Sequence, residues 1–280
     1  MGGKNRDSSS GRPANNSFRT KNKYTDTPAP AESEREEYGE DLIIGRNAVT
    51  EALRSNREID TLFVAKGDRS GSIGVIIGKA SDRGVVVKEV DRRKLDAMCG
   101  GSNHQGVAAR AAVHTYATLD DILNAAKDKG EDPFVVVCDE IEDPHNLGAI
   151  IRTADACGAH GIIIPKRRGV SLTYAVGKVS AGAVEYVPVA RVPNLPSVLD
   201  ELKGKGFWIY GADMDGTPWD KQDYSGAVAL VVGSEGRGIS RLVKEKCDFI
   251  ISLPMKGRIN SLNASVAAGI LMYEVIRKKG

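Results

Sequence analysis

The sequence predicts an α/β protein of two units, a small front unit and a larger one built on a parallel sheet with helices on both faces. Three observations lead there. Between residues 134 and 254 the chain carries near-continuous apolar runs, FVVVCD, GIIIP, FWIYGA, AVALVVG and FIISLP. Strands without polar alternation are buried on both faces, as in parallel sheets. Helix-like stretches such as LGAIIRTADACG and VLDELKGKG separate these runs, giving the alternation of a doubly covered sheet. Finally, the apolar pattern starts only at Leu42, so the organised part of the chain has a clear beginning.

Residues 1–40 are rich in Ser, Asn, Pro, Gly and charge and have almost no apolar content. Such a segment cannot bury enough surface to offset its ordering entropy, and a disordered tail is expected. Met1–Tyr24 holds six basic residues and one acid, whereas Thr25–Glu40 holds six acids and one base. A solvated tail and a basic arm that touches RNA phosphates both fit that split. Residues 41–113 form the front domain. NAVTEALRS reads as a short amphipathic helix and IDTLFVA as a strand. SIGVIIGKASDRG is a helix with Ile73, Ile76, Ile77 and Ala80 on one face and a stop at Gly84. VVVKEV is a strand, DRRKLDAMCGG a helix and QGVAARAA a further strand. Residues 114–132 read as a polar, helical linker, and residues 133–280 as the second domain.

Composition limits the function classes. The 280 residues are 41% apolar and 27% charged, as in ordinary soluble globular proteins. A formal charge of +2 means that any nucleic-acid surface must be local. Cys99, Cys138, Cys157 and Cys247 lie far apart without ligand spacing, so buried thiols in a reducing compartment are expected. No apolar run approaches the ~20 residues of a membrane span, and the first residues lack a leader's apolar core. A cytoplasmic protein without a membrane partner is expected.

Ligands of open α/β sheets bind at the carboxyl ends of the strands. That edge gathers Asp139–Asn146, Gly211–Asp213, Gly233–Gly238 and Leu253–Asn263. In the first loop, Asn146 is expected to cap a helix, and Arg152 falls early on that helix, where its charge opposes the dipole. A surface ion pair and an anion site both fit Arg152. DEIED reads as a solvated acidic turn, since no further ligands stand at metal spacing. The loop GSEGRG departs from the phosphate-binding patterns: it lacks the Gly-Lys-Ser/Thr of one and the glycine order of the other. Glu235 would also repel a phosphate, so the loop suits a neutral or cationic group. In the last loop, Asn260, Ser261, Asn263 and Ser265 exceed what a helix cap requires. Ala264, Ala267, Ala268 and Gly269 would let another backbone, such as a second subunit, pack closely.

Taken together, NLGAIIRTADACGA, LVVGSEGRGIS and ISLPMKGRINSLNASVAAGI resemble the motifs of the SpoU/TrmH branch of the SPOUT methyltransferases. The front unit resembles that family's substrate-binding domain, a ribosomal-protein-like RNA-binding module. The resemblance implies a trefoil-knotted, S-adenosylmethionine-dependent RNA ribose 2′-O-methyltransferase that acts as a homodimer and needs no metal. The implied substrate is a guanosine in 23S ribosomal RNA. A tRNA guanosine, a ribosomal adenosine or a non-catalytic ribosome-assembly role are the alternatives. The implied catalytic set is Arg152, Asn146, Glu235, Ser261 and Asn263, with Glu235 as partner of Arg152. The implied cofactor contacts are Gly211, Gly233, Leu253, Met255 and Leu262. Arg46, Arg54, Arg57, Lys66 and Arg69 in front, with Lys166–Arg168 beside the site, are the expected phosphate contacts.

Overall fold

The computed structural model describes residues 41–280 except positions 56, 69, 70 and 259. The expected disordered tail, residues 1–40, and Arg69 lie outside the described residues. The front unit comprises β1 (Leu42–Ile44), α1 (Arg46–Arg54), β2 (Ile59–Ala65), α2 (Ile73–Asp82), β3 (Val86–Val90), α3 (Arg92–Met98) and β4 (Val107–Ala111). Its sheet is ordered β1-β4-β2-β3, with β4 antiparallel to both neighbours and β3 parallel to β2. α1 and α2 place Val49, Leu53, Ile73, Ile76 and Ala80 on one face of the sheet. Leu95 and Met98 of α3 cover the other. β2 is therefore enclosed, and it carries Asp60 and Thr61 into the interior with its apolar residues.

The core of the second unit also draws on the stretch before it. Residues 114–132, expected to be a linker, contain α4 (Leu119–Lys129), a helix with a Thr118–Asp121 capping box and a left-handed Gly130 at its end. Ile122 of α4 packs with Val135, Val137 and Ile163 in this unit's core. A side chain at Gly161 would come within 2.5 Å of Ile122. The stretch reads as polar because only one narrow face of α4 is buried.

The remaining elements are β5 (Phe134–Cys138), α5 (Pro144–Ala156), β6 (Gly161–Pro165), α6 (Tyr174–Val179), β7 (Val189–Val192), α7 (Leu195–Gly204), β8 (Trp208–Pro218), β9 (Val228–Val232), α8 (Arg241–Lys244), β10 (Phe249–Ser252) and α9 (Ala264–Lys279). All six strands are parallel, in the order β10-β8-β9-β5-β6-β7. Phe134, Val136 and Cys138 point to the face covered by α5, α6 and α9. Val135 and Val137 point to the face covered by α4, α7 and α8. This alternation of two apolar faces is why the strands read as unbroken apolar runs. Burial pushes the Cys138 thiol up to about 12, so it packs rather than reacts. No helix among the described residues is long and apolar enough to cross a membrane.

Candidate active site

At the carboxyl edge of the second sheet, three loops and the start of α9 enclose a cavity of about 200 Å³. The first wall comes from β9. Gly233, directly after Val232, has no room for a side chain, because a Cβ would lie 2.1 Å from the Gly238 carbonyl carbon and 2.4 Å from the Ile239 nitrogen. The chain doubles back on itself: the Ser234 N–H donates to the Gly238 carbonyl (3.1 Å) and the Gly238 N–H to the Ser234 carbonyl (2.9 Å). Gly236 (φ 82°) and Gly238 (φ 65°) supply the left-handed backbone this requires. These glycines thus close a pinched loop that displays Glu235 at the cavity.

The second wall is an excursion from β8. Tyr210 and Gly211 pair with Phe249 and Ile250, and pairing resumes only at Thr217 with Ile251. The intervening residues bow out, and Ala212, Asp213 and Met214 line the cavity. The third wall follows β10: Leu253, Met255, Asn260, Ser261 and Leu262, backed by Ala264, Ala267 and Leu271 of α9.

A side-chain network ties the loops after β5, β9 and β10 together. Asn263 caps α9, its Oδ1 accepting from the Ser265 (3.0 Å) and Val266 (3.2 Å) N–H groups. With that oxygen engaged, its amide nitrogen donates to Asn146 Oδ1 (2.9 Å) and to Glu235 Oε1. Asn146 Nδ2 then donates to the same Glu235 oxygen (3.1 Å), which also receives the Ala264 N–H (3.3 Å). Each donor and acceptor has one consistent role, so the amide orientations are mutually fixed. The carboxylate also sits at the N-terminus of α9, where the dipole favours negative charge. Glu235 Oε2 makes no hydrogen bond among the described residues, which leaves it available to a ligand.

Of the predicted site residues, Gly233, Glu235, Leu253, Met255, Ser261 and Leu262 line the cavity. Asn146 and Asn263 stand behind Glu235 through the bonds above. Gly211 directly precedes Ala212 of the lining, and a Cβ there would meet Cys247 Sγ at 2.7 Å and Ile239 Cδ1 at 3.0 Å, so a side chain does not fit. Two expectations need correction. Asn146 is not a helix cap. Asp143 caps α5 by accepting the His145 N–H (2.8 Å), and Asn146 is buried in the first turn facing Glu235. Arg152 lies past the middle of α5, where the dipole tolerates a cation, and it is exposed. It makes no hydrogen bond or ion pair among the described residues, so Glu235 of the same chain is not its partner.

The small residues of α9 also have a different use. Ala264 and Ala268 belong to the chain's own core, and a Cβ on Gly269 would lie 3.7 Å from Thr153 of α5. The exposed apolar side chains of α9 are instead Val266, Ile270 and Tyr273. The acidic turn is divided between tasks. Asp139 accepts the Ser240 N–H (2.7 Å), and Glu140, in left-handed backbone (φ 55°), pairs with Arg168 (3.3 Å) and Arg237 (3.6 Å).

Sequence reasoning missed Asp213 and Ser234. Asp213 holds Lys244 at 3.1 Å, and its one sequence signal is its place just after the apolar part of β8. Ser234 has a buried hydroxyl without a hydrogen-bond partner, an orphan polar atom beside the cavity. The rest of the lining is apolar side chains and glycine backbone with Asn260 and Ser261, the carboxylates Asp213 and Glu235, and one cation, Arg237, which is turned to Glu140. It holds no lysine, and it fits a mostly neutral ligand carrying a positive centre.

Residues 133–273 match the SpoU rRNA Methylase family, and residues 42–117 match a model described as RNA 2′-O ribose methyltransferase substrate binding. A TrmH family tRNA/rRNA methyltransferase, YacO of Bacillus subtilis (strain 168), is 53% identical over 240 residues, 85% of this chain and 96% of that protein. A similarly named relative from Staphylococcus haemolyticus (strain JCSC1435) is 49% identical over the same share of each chain. Among solved structures, an AdoMet-bound rRNA methyltransferase from Sinorhizobium meliloti aligns with TM-score 0.54 and 27% identity, covering 88% of this chain and 90% of that one. The SpoU methyltransferase AviRb of Streptomyces viridochromogenes, solved with AdoMet, shares the fold at TM-score 0.55 and 23% identity, covering 88% of this chain and 97% of that one.

Proposed function

This chain belongs to the SpoU rRNA methylase family, and we propose that it methylates the ribose 2′-hydroxyl of a guanosine in 23S ribosomal RNA. It is an S-adenosylmethionine-dependent RNA methyltransferase. The observation that carries the reading is the Asn146–Glu235–Asn263 network, which holds three strand-end loops around a cavity without a phosphate cradle. The choice of ribosomal RNA rests on the front unit, which matches a substrate-binding model for ribose methyltransferases. We infer that the loops belong to a trefoil knot in which the segment after β10 threads back through the sheet.

Gly233, Leu253, Met255 and Leu262 would hold the cofactor, with the Ser234 hydroxyl as an added polar contact. When bound, S-adenosylmethionine supplies an electrophilic methyl group on a positively charged sulfur. The carboxylate of Glu235 complements that charge, whereas Asp213 is already paired with Lys244. The acceptor hydroxyl must lie in line with the departing sulfur, and positioning of this kind can supply several kcal/mol of the barrier. Glu235 lines the cavity with Oε1 fixed and Oε2 unengaged among the described residues, so it can orient the ribose without giving up its structural bonds.

Arg152 would bind the neighbouring RNA phosphate and stabilise the developing alkoxide. A guanidinium is a poor base, so Arg152 is unsuited to remove the proton itself. A phosphate oxygen would take it instead. Because Arg152 stands outside its own chain's cavity, we infer a homodimer that joins the α5/α9 faces and brings Arg152 to the partner subunit's cavity. The exposed Val266, Ile270 and Tyr273 supply an apolar stripe for that contact.

Mapping of 2′-O-methyl groups in ribosomal RNA from cells with and without the gene tests the substrate. One guanosine should lose its methyl group, and an unchanged ribosomal RNA would defeat the assignment. Single-turnover methyl transfer by Arg152→Lys across pH tests the arginine. Near-full transfer by that variant would remove it from the chemistry.

A further inference from the structure

The two units meet across a second, larger cavity, about 430 Å³, that the active-site argument does not use. Lys88, Lys94 and Arg110 of the front unit face Lys166, Arg168 and Arg191 of the second, with Glu142 as the carboxylate among the lining residues. A latch between the units fixes this geometry. Asp60, buried in β2, accepts a hydrogen bond from Arg191 of β7, and the Arg191 guanidinium stacks 5.3 Å from the Tyr116 ring. Arg168 is paired with Glu140, and Arg110 stands 4.0 Å from Asp41. Lys88, Lys94 and Lys166 form no ion pair among the described residues.

Six cations converging on one crevice repel one another, and among the lining residues a single carboxylate, Glu142, stands against three lysines that form no ion pair. The ammonium of Lys88 registers this: burial first, and then Arg110, Arg191 and Lys94, lower its pKa, with Glu142 acting in the opposite sense. A site of this kind is stabilised by an anion arriving from outside. Of the basic residues expected to bind phosphate, Lys166 and Arg168 help to build it, and those of the front unit do not. Arg46 is turned to Asp68 and Gln105, and Arg54 to Glu51 on its own helix.

We propose that this crevice grips the sugar–phosphate backbone of the substrate RNA, so that one strand is held by both units at once. The inference rests on the RNA reading above and adds where the strand lies. The crevice does not end blindly. Arg168, on its wall, shares Glu140 with Arg237, which lines the methyl-transfer cavity. Phosphates can follow that line from the unit boundary to the reacting ribose, exchanging Glu140 for phosphate at the two exposed arginines. A small free anion would occupy the crevice but has no use for the track, so an extended polyanion is the better occupant.

The test uses the full chain with Lys88→Gln, Lys94→Gln and Lys166→Gln combined, changes that break no ion pair and leave the methyl-transfer cavity intact. Binding of a single-stranded RNA oligonucleotide is followed by fluorescence anisotropy over a series of salt concentrations. Cofactor affinity is measured in parallel by calorimetry. Each lost phosphate contact lowers the slope of log K against log salt by about 0.7, so the triple variant should lose about 2 from the slope. Its cofactor affinity should stay at the wild-type value. RNA binding with an unchanged slope would overturn the crevice while leaving the methyltransferase reading in place. Failure of the wild-type protein to bind any RNA would overturn both. Pyrophosphate binding lost in the variant, with RNA binding untouched, would assign the crevice to a small anion and reject the strand.

Discussion

Gly233→Ala separates two reasons for a glycine in the active-site loop, because the new methyl group meets the protein's own backbone before any ligand. The added Cβ would lie 2.1 Å from the Gly238 carbonyl carbon, 2.2 Å from its oxygen and 2.4 Å from the Ile239 nitrogen. Carbon contacts are comfortable only near ~3.5–4 Å, so the 238–239 segment must retreat by about 1 Å or more. That movement breaks the paired hydrogen bonds between Ser234 and Gly238, each worth ~0.5–1.5 kcal/mol net. Overpacking adds ~1–3 kcal/mol, for a total of about 2–6 kcal/mol, released either as lost stability or as an opened loop. Gly236→Ala has open space around it but a φ of 82°, so left-handed strain of ~1–2 kcal/mol is its whole cost. Gly257→Ala has neither problem and should be silent. Urea unfolding and cofactor calorimetry on the three variants should give that order, with cofactor binding lost only in Gly233→Ala. Equal behaviour of Gly233→Ala and Gly257→Ala in both assays would refute the pinched-loop argument.

Other perturbations probe separate parts of the molecule. Glu235→Gln keeps an acceptor but removes the charge at the start of α9. Stability should fall by about 1 kcal/mol, with a much larger loss in single-turnover methyl transfer; full transfer would show that the carboxylate is only structural. Ile270→Glu places a charge in the exposed stripe of α9 and should convert a dimer to a monomer in sedimentation, with thermal stability of the chain itself little changed. An unaltered sedimentation coefficient would refute the dimer proposed through α9. His160 is buried, with Nδ1 accepting the Phe134 N–H (3.0 Å) and Nε2 beside Glu131 (3.2 Å). Burial and then Lys129 lower its pKa, while Glu131 acts in the opposite sense. The unfolded chain therefore takes up a proton first, below about 6.5, and stability present above that pH is lost as the solution is acidified. The urea midpoint should drop from about pH 7 to about pH 5, and His160→Gln should flatten that drop; parallel curves for the two proteins would contradict it.

The central strands of the second unit were legible because β5, β6 and β9 are buried on two faces and so read as unbroken apolar runs. β7, four residues interrupted by Arg191, carries no such signal: its arginine is there for Asp60 of the other unit, a contact that depends on tertiary structure. The same limit hid the role of α4. Its polar residues face water, and Ile122 and Ala126 are too few to distinguish a docked helix from a connector. The crevice between the units was only half legible for a related reason: the Lys166–Arg168 run stood out as basic, whereas Lys88, Lys94, Arg110 and Arg191 come from separate elements and form no run.

At the active site the residue types were legible and their partners were not. Glu235 stood out because a carboxylate among glycines excludes a phosphate loop, and that reasoning agrees with the lining of the cavity. Pairing it with Arg152 is what the family resemblance implies. Geometry gives Glu235 three neutral donors instead, from Asn146, Asn263 and the Ala264 backbone, which join loops 117 residues apart in sequence. The consequence for mechanism is specific. A Glu235–Arg152 ion pair within one chain would neutralise both groups before RNA arrived. With the carboxylate satisfied by amides, its charge persists at the cavity while the guanidinium stays unpaired outside it, so each remains available to a different part of the substrate.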